Sequence, residues 1–536
     1  MSDSYKVDYI IKNGTLIDGS GQKPFRGDIA IDNGKICKIG LDLEIPAKRI
    51  LDAEGKAVCP GFIDCHTHDD LVLYRDPYNK PKLKQGVTTI IVGNCGFGPC
   101  PSQNETVNLL KDYAKPILGP EIINRTFESF SSYAQSLKEL SKAINIAAFV
   151  AHGALYIHDN GFSKGALSEQ SIINAQNLLS SAMSTGAIGL SAGFIYAPGC
   201  YCNTEDMIPL VDTVAKFKGL YCVHLRSESD YLDNSINEVL STVAFSGASL
   251  HISHFKVIGK NNHGRMKNYI SKIEKCISDG FDITYDMYPY TAGSTTMASL
   301  FPVETQTGGV ENCINQLNNK ENRERLKEQF RIPWKNTDNI ALLSGWDNIY
   351  LSSLDSKKNV PNLGRSIADI AKERGLPPDE ACLQIFEEEN GKVGIILRSM
   401  HEQDMLDTIK SKNCFVGSDG LPVGSHPHPR LYGTFPTFLR VFVHEKKLLS
   451  IEEAIAKITS LPARRFGLKK RGQLSEGFNA DIVIFDPEKF TDIATFEDPR
   501  RYPVGMDHVI VNGRMVVDHN EITEEKPGQF IPHERD

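Results

Sequence analysis

Eight short apolar segments recur along the middle of the chain, and each runs directly into polar or reactive side chains. They cover residues 61–68, 88–95, 146–153, 187–194, 220–227, 249–256, 282–290 and 414–420. After each one there is room for an amphipathic helix before the next. Strands that read as continuous apolar runs, alternating with helices, belong to a parallel sheet covered on both faces. Eight of them imply a closed α/β barrel of the (β/α)8 type, whose chemistry is confined to the C-terminal ends of the strands. An open doubly wound sheet competes for the same pattern, but it does not bring reactive residues to so many strand ends. The interval 291–350 exceeds the other strand-to-strand connections and is expected to carry an insertion over the barrel mouth.

The two ends of the chain read differently. Residues 1–59 predict short strands separated by Asn13-Gly14, Asp18-Gly19 and Asn33-Gly34, the dipeptides that favour hairpin turns. Residues 469–536 repeat the pattern around Asn512-Gly513. The expectation is a small β-sandwich built from both termini, flanking a barrel over 60–468.

Charge and composition then narrow the function. Fifty-nine basic against 67 acidic residues give a net charge of −8, which offers no global attraction to phosphate backbones or anionic lipid. The segment 1–7 lacks the apolar core of a leader peptide, and no apolar run approaches the ~20 residues that span a bilayer. A cytoplasmic protein acting on a small molecule, with no nucleic-acid or membrane partner, is the expectation; the oligomeric state is not readable. Twelve cysteines without a dense framework fit reduced thiols, including the pair Cys200 and Cys202.

His66-Thr67-His68 closes the first strand. Residues two apart on a strand face the same side, so both imidazoles are expected inside the barrel, a good pair of zinc ligands. His224 ends the fifth strand, His254 the sixth and Asp419 the eighth. Cys95 ends the second, in Gly93-Asn94-Cys95-Gly96, where metal binding would deprotonate its thiol. Packing alone does not gather that set of metal-capable side chains at one end of a barrel.

These residues, with the segments 60–68, 86–97, 189–196, 224–228, 252–256, 288–294, 417–422 and 428–436, resemble the amidohydrolase superfamily. Within it they resemble the N-acyl-D-amino-acid deacylases (D-aminoacylases), over nearly the whole chain. The resemblance implies that Cys95, His224 and His254 hold a tight Zn²⁺, while His66, His68 and Asp419 surround a second, weaker position that Cys95 bridges. Hydantoinase-like relatives place a carbamylated lysine on the fourth strand; residues 187–194 contain no lysine, and Cys95 stands in its place.

Asp419 is the expected catalytic residue, a general base toward water and then an acid toward the leaving amine. Lys256, Tyr196, Tyr288 and Arg430 are expected to bind substrate. Arg226 and Glu228 are expected to pair with one another, His152 to support the metal ligands, and His426 and His428 to border the pocket or form a rigid turn. Hydrolysis of an N-acyl-D-amino acid is the reaction implied. Another linear amide, such as a dipeptide or an acylated amine, stays open, as does a non-catalytic scaffold. The D configuration rests on the resemblance alone, and the number of metals is undecided.

Overall fold

The computed structural model describes residues 6–165 and 167–534. The segment on which the absence of a leader was read falls largely outside them, at residues 1–5. Among the described residues no helix is long and apolar enough to cross a membrane.

Eight parallel strands form the barrel: Phe62–Asp64, Val87–Val92, Asn145–Ala148 continued by Val150–Ala151, Gly189–Gly193, Leu220–His224, Ser249–Ile252, Ile283–Met287 and Cys414–Val416. The ring closes between the first and eighth strands through the N–H of Asp419, which donates to the His66 carbonyl at 2.7 Å, and a parallel bridge from Thr67 to Gly420. Nearly every strand residue is buried, because the lumen and the helical layer both exclude water. That double burial is why these strands appear in the sequence as apolar runs.

The two chain ends combine in one nine-stranded sheet. Ala57–Pro60 pairs antiparallel with Ile482–Phe485, and so joins the N-terminal strands to the C-terminal ones. Ile11, Ile29, Ile31, Val58, Ile482 and Ile510 pack together as its own core. Asn33-Gly34 and Asn512-Gly513 are hairpin turns with both residues at positive φ. Asn13-Gly14 is not a turn. It is a bulge inside one long strand, Val7–Leu16, where the register against the next strand shifts between Ile11 and Gly14. At the bulge Asn13 alone is left-handed, at φ 56°, whereas each hairpin turn uses that conformation at both residues.

The insertion runs well past Tyr350. Its three-stranded antiparallel sheet places Gly394–Leu397 between Gly293–Thr296 and Ile349–Ser353. The central strand comes last in the chain, so the unit cannot close before Leu397. Phe301, Phe330, Phe386 and Ile395 lie in a hydrophobic cluster separate from that of the barrel.

Candidate metal centre

His66 and His68 follow the first barrel strand directly, and His224 is the last residue of the fifth. Cys95, His254 and Asp419 lie two or three residues beyond their strands, and all three adopt positive φ, at 54°, 33° and 47°. For non-glycine residues that conformation costs on the order of 1 kcal/mol or more, and it persists where surrounding structure imposes it. Gly93 makes the turn before Cys95 possible: at φ 79° a Cβ would fall 2.6 Å from the Phe149 carbonyl oxygen.

The strand ends and these turns bring six side chains together. Cys95 Sγ lies 3.3 Å from His66 Nε2 and 3.5 Å from His254 Nε2. Ligand atoms of His66, His68 and Cys95 fall within 4.8 Å of one another, and so do those of Cys95, His224 and His254. Cys95 is therefore common to two groups of three. Asp419 Oδ1 lies 3.2 Å from His68 Nε2 and 3.5 Å from His66 Nε2. All six side chains are buried.

The chemistry of this donor set fits a metal. Neither ring nitrogen of His224 has a hydrogen-bond partner, an expensive state for a buried imidazole and the one expected of a ligand. Burial raises the Cys95 thiol, but the facing His66 and His254 charges outweigh it and bring it well below its ordinary range. Likewise burial raises Asp419, while Arg430 and the histidines hold it well below the usual carboxylate range. Thiolate, imidazole and carboxylate together suit Zn²⁺ and not the hard cations Mg²⁺ or Ca²⁺.

A second ring of charges orients the first. Asp286 lies 3.0 Å from both His66 Nδ1 and His251 Nε2, and accepts from the His254 N–H at 3.1 Å. Glu228 Oε1 lies 3.0 Å from His254 Nδ1 and 2.5 Å from Lys256 Nζ. Lys82 Nζ donates to Asp64 and to Ser418 Oγ, both at 2.7 Å, and so ties the first strand to the residue preceding Asp419. Partners of this kind fix tautomer and ring orientation at metal sites. Asp286 and Lys82 were not singled out in the sequence. The signal was a charged residue inside an apolar stretch, such as Asp286 within Ile283–Met287, which is 1% exposed.

Several expectations need correcting. Arg226 does not pair with Glu228; its guanidinium bonds Glu238 and the carbonyls of Cys200 and Cys202. The helix Leu232–Ser246 brings Glu238 to Arg226, which leaves Glu228 to Lys256. His152 faces Cys202, with Nε2 3.5 Å from its sulfur, and not the metal-capable cluster. His428 Nε2 lies 3.0 Å from the Ala292 carbonyl and His426 Nε2 2.7 Å from that of Phe496, so both brace the loop after Asp419.

The cluster opens into a cavity between the barrel mouth and the insertion. Tyr196, Lys256 and Tyr288 stand in its wall beside Ile117, Ile195, Ile258, Ile340, Leu397 and Met400. Arg430 does not. It is fully buried behind the wall, 2.9 Å from Asp419 Oδ2 and 4.5 Å from the centroid of the Tyr288 ring. A buried carboxylate needs such a counter-charge, and Asp419 takes the guanidinium expected to face substrate.

A sequence model described as "Amidohydrolase family" matches residues 49–157 and 406–517. The N-acyl-D-aspartate deacylase of Alcaligenes xylosoxydans xylosoxydans is 32% identical over 98% of this chain and 95% of its own. The chain belongs to the N-acyl-D-amino-acid deacylase family. Its D-aminoacylase relative from the same organism is also 32% identical, over 99% of this chain and 98% of its own. Among solved deacylases, N-acyl-D-glutamate deacylase from Bordetella bronchiseptica, crystallised with zinc and a phosphonate inhibitor, superposes with a TM-score of 0.84. It is 30% identical and covers 98% of this chain and 100% of its own.

Proposed function

We propose that this chain is a zinc-dependent amide hydrolase that converts N-acyl-D-amino acids into a carboxylic acid and a free D-amino acid. The observation that carries the reading is the buried thiolate of Cys95, shared between two histidine groups beside an ionised Asp419, at the floor of a cavity walled by Lys256. Cys95, His224 and His254 would hold the tight zinc; His66, His68 and Asp419, with Cys95, would form the second position. Zinc held there supplies Lewis-acid polarisation of the scissile carbonyl and lowers the pKa of water toward ~7.

The chain's own groups do the rest. Asp419, kept ionised by Arg430, accepts a proton as water oxygen bonds to the amide carbon. It then delivers that proton to nitrogen as the C–N bond breaks, so one carboxylate serves both half-reactions. Lys256 pairs with the substrate carboxylate, and the Tyr196 and Tyr288 hydroxyls are the donors available to the developing oxyanion. A donor of that kind is worth roughly 3 kcal/mol in the transition state. Arg430 acts through Asp419. The wall of isoleucine, leucine and methionine side chains favours an uncharged amino-acid side chain. The D configuration is taken from the relatives.

The test is chiral chromatography of amino acids released from paired N-acetyl-D and N-acetyl-L substrates by the zinc-loaded protein. Release confined to D products is the expected result. L products alone would overturn the stereochemistry, and no release from any N-acyl amino acid would overturn the substrate class.

A further inference from the structure

Asp338 belongs to the insertion, two residues before the helix Ile340–Ser344, yet its carboxylate reaches the barrel. It is 2% exposed. It accepts three hydrogen bonds from one short stretch after the fifth strand: Ser227 Oγ at 2.6 Å, Ser229 Oγ at 2.5 Å and the Glu228 N–H at 2.7 Å. On its other side the Glu228 carbonyl accepts from the Ile258 N–H at 2.8 Å. With both of its backbone polar groups held, Glu228 has a fixed Cα–Cβ direction, and its carboxylate meets Lys256 Nζ and His254 Nδ1.

A charge at position 338 is costly. Among the described residues no lysine or arginine forms an ion pair with it, and burial pushes its carboxyl up to about 6 against the pull of its three donors. A mere tether between insertion and barrel has no need of a buried carboxylate. Three donors converging on one point do, because an ionised carboxylate is the side chain that only accepts. The two residues that follow continue the same joint. Asn339 donates to the carbonyls of Gln329, Phe330 and Ile332, and Ile340 stands in the cavity wall.

We propose that Asp338 is a positioning residue. By gripping the 227–229 stretch it sets Glu228, which in turn orients Lys256 toward the substrate carboxylate and His254 toward the metal. The first half rests on the deacylase reading; the second does not, and the experiment separates them. Two quantities are measured for Asp338→Asn: steady-state kinetics on the best N-acyl-D-amino acid, and the rate at which zinc is lost to a chelating dye. KM should rise and zinc loss should quicken, each roughly 10- to 100-fold, with kcat less affected.

A double-mutant cycle with Glu228→Gln decides the route. If Asp338 acts through Glu228, the double variant is hardly worse than Glu228→Gln alone; multiplicative losses would overturn the proposal. Unchanged KM and unchanged zinc release in a folded Asp338→Asn protein would overturn it too. Should that variant not fold by circular dichroism, Ser229→Ala removes a single donor and should shift both readouts in the same direction by a smaller factor; no shift again refutes. If the wild-type protein cleaves none of the substrates, the deacylase reading fails, and the zinc-release rates alone still decide the role of Asp338.

Discussion

The cavity wall makes a quantitative statement about substrate preference. Among the described residues that line it, Lys256 is the one lysine or arginine, and its ammonium already faces Glu228 at 2.5 Å. Ile195, Ile258, Ile340, Leu397 and Met400 offer apolar surface. Consider the series N-acetyl-D-alanine, D-2-aminobutyrate, D-norvaline and D-norleucine. Each added methylene leaves water for that wall and gains about 0.8 kcal/mol, which is about fourfold in kcat/KM. From alanine to norleucine the gain compounds to roughly 60-fold if the wall accepts the whole chain. N-acetyl-D-glutamate is close in length to norleucine but brings a second carboxylate with no free cation to meet it. The effective penalty for burying an unpaired ion is several kcal/mol, so glutamate should fall about 100-fold or more below norleucine. The assay is release of free amino acid under kcat/KM conditions by zinc-loaded protein, with the acidic substrate also tested as a competitive inhibitor. A flat series, or N-acetyl-D-glutamate or N-acetyl-D-aspartate turned over within tenfold of norleucine, would refute the apolar reading of the wall.

Three further outcomes are expected. Cys95→Ala removes the side chain common to both ligand groups and should cost the protein most of its bound zinc by elemental analysis; a retained full equivalent would sink the ligand assignment. Asp419→Asn should keep tight zinc while kcat falls by about 10² or more, the scale of general acid–base catalysis, and near-wild-type turnover would remove its role as proton carrier. His152 supplies a pH test away from the metal: burial, then the Arg226 charge, lowers its pKa from 6.5 to about 4. Between those values the unfolded chain takes up a proton that the folded one refuses. Its contribution is therefore complete above pH ~6.5 and is lost as pH falls toward 4, amounting to about 2 kcal/mol by pH 5. Urea melts of wild type and His152→Gln at pH 7.5 and 5.0 should converge by that amount, and parallel acid limbs would refute the reading.

The barrel was legible because double burial leaves an unmistakable trace: strands such as Val87–Val92 are buried along their whole length and carry no charged residue, and each ends close to the reactive residue. The insertion's end was not, because its central strand, Gly394–Leu397, is four residues long and takes its place only by pairing with strands about 45 and 100 positions earlier. Asn13-Gly14 failed for the opposite reason, since a local signal for left-handed backbone serves bulge and hairpin alike.

The metal-capable side chains and the charges around them divide along the same line. Cys95, His224, His254 and Asp419 could be found because strand ends are local features. Their partners could not, because His66 finds Asp286 across 220 residues and Lys82 finds Ser418 across 336. No periodicity records such pairings. What the chain does record is the penalty each partner would incur alone: Lys82, Asp64, Asp286 and Arg430 are essentially without solvent contact, and an unpaired ion there would cost more than a typical domain can spare. A charged residue inside an apolar segment therefore implies an unseen partner of opposite sign. In this barrel those implied partners are the ones that aim the ligands. Asp286 orients His66, Arg430 keeps Asp419 ionised, and Glu228 couples His254 to Lys256. The fold thus places the cluster, and the buried charges give it its orientation.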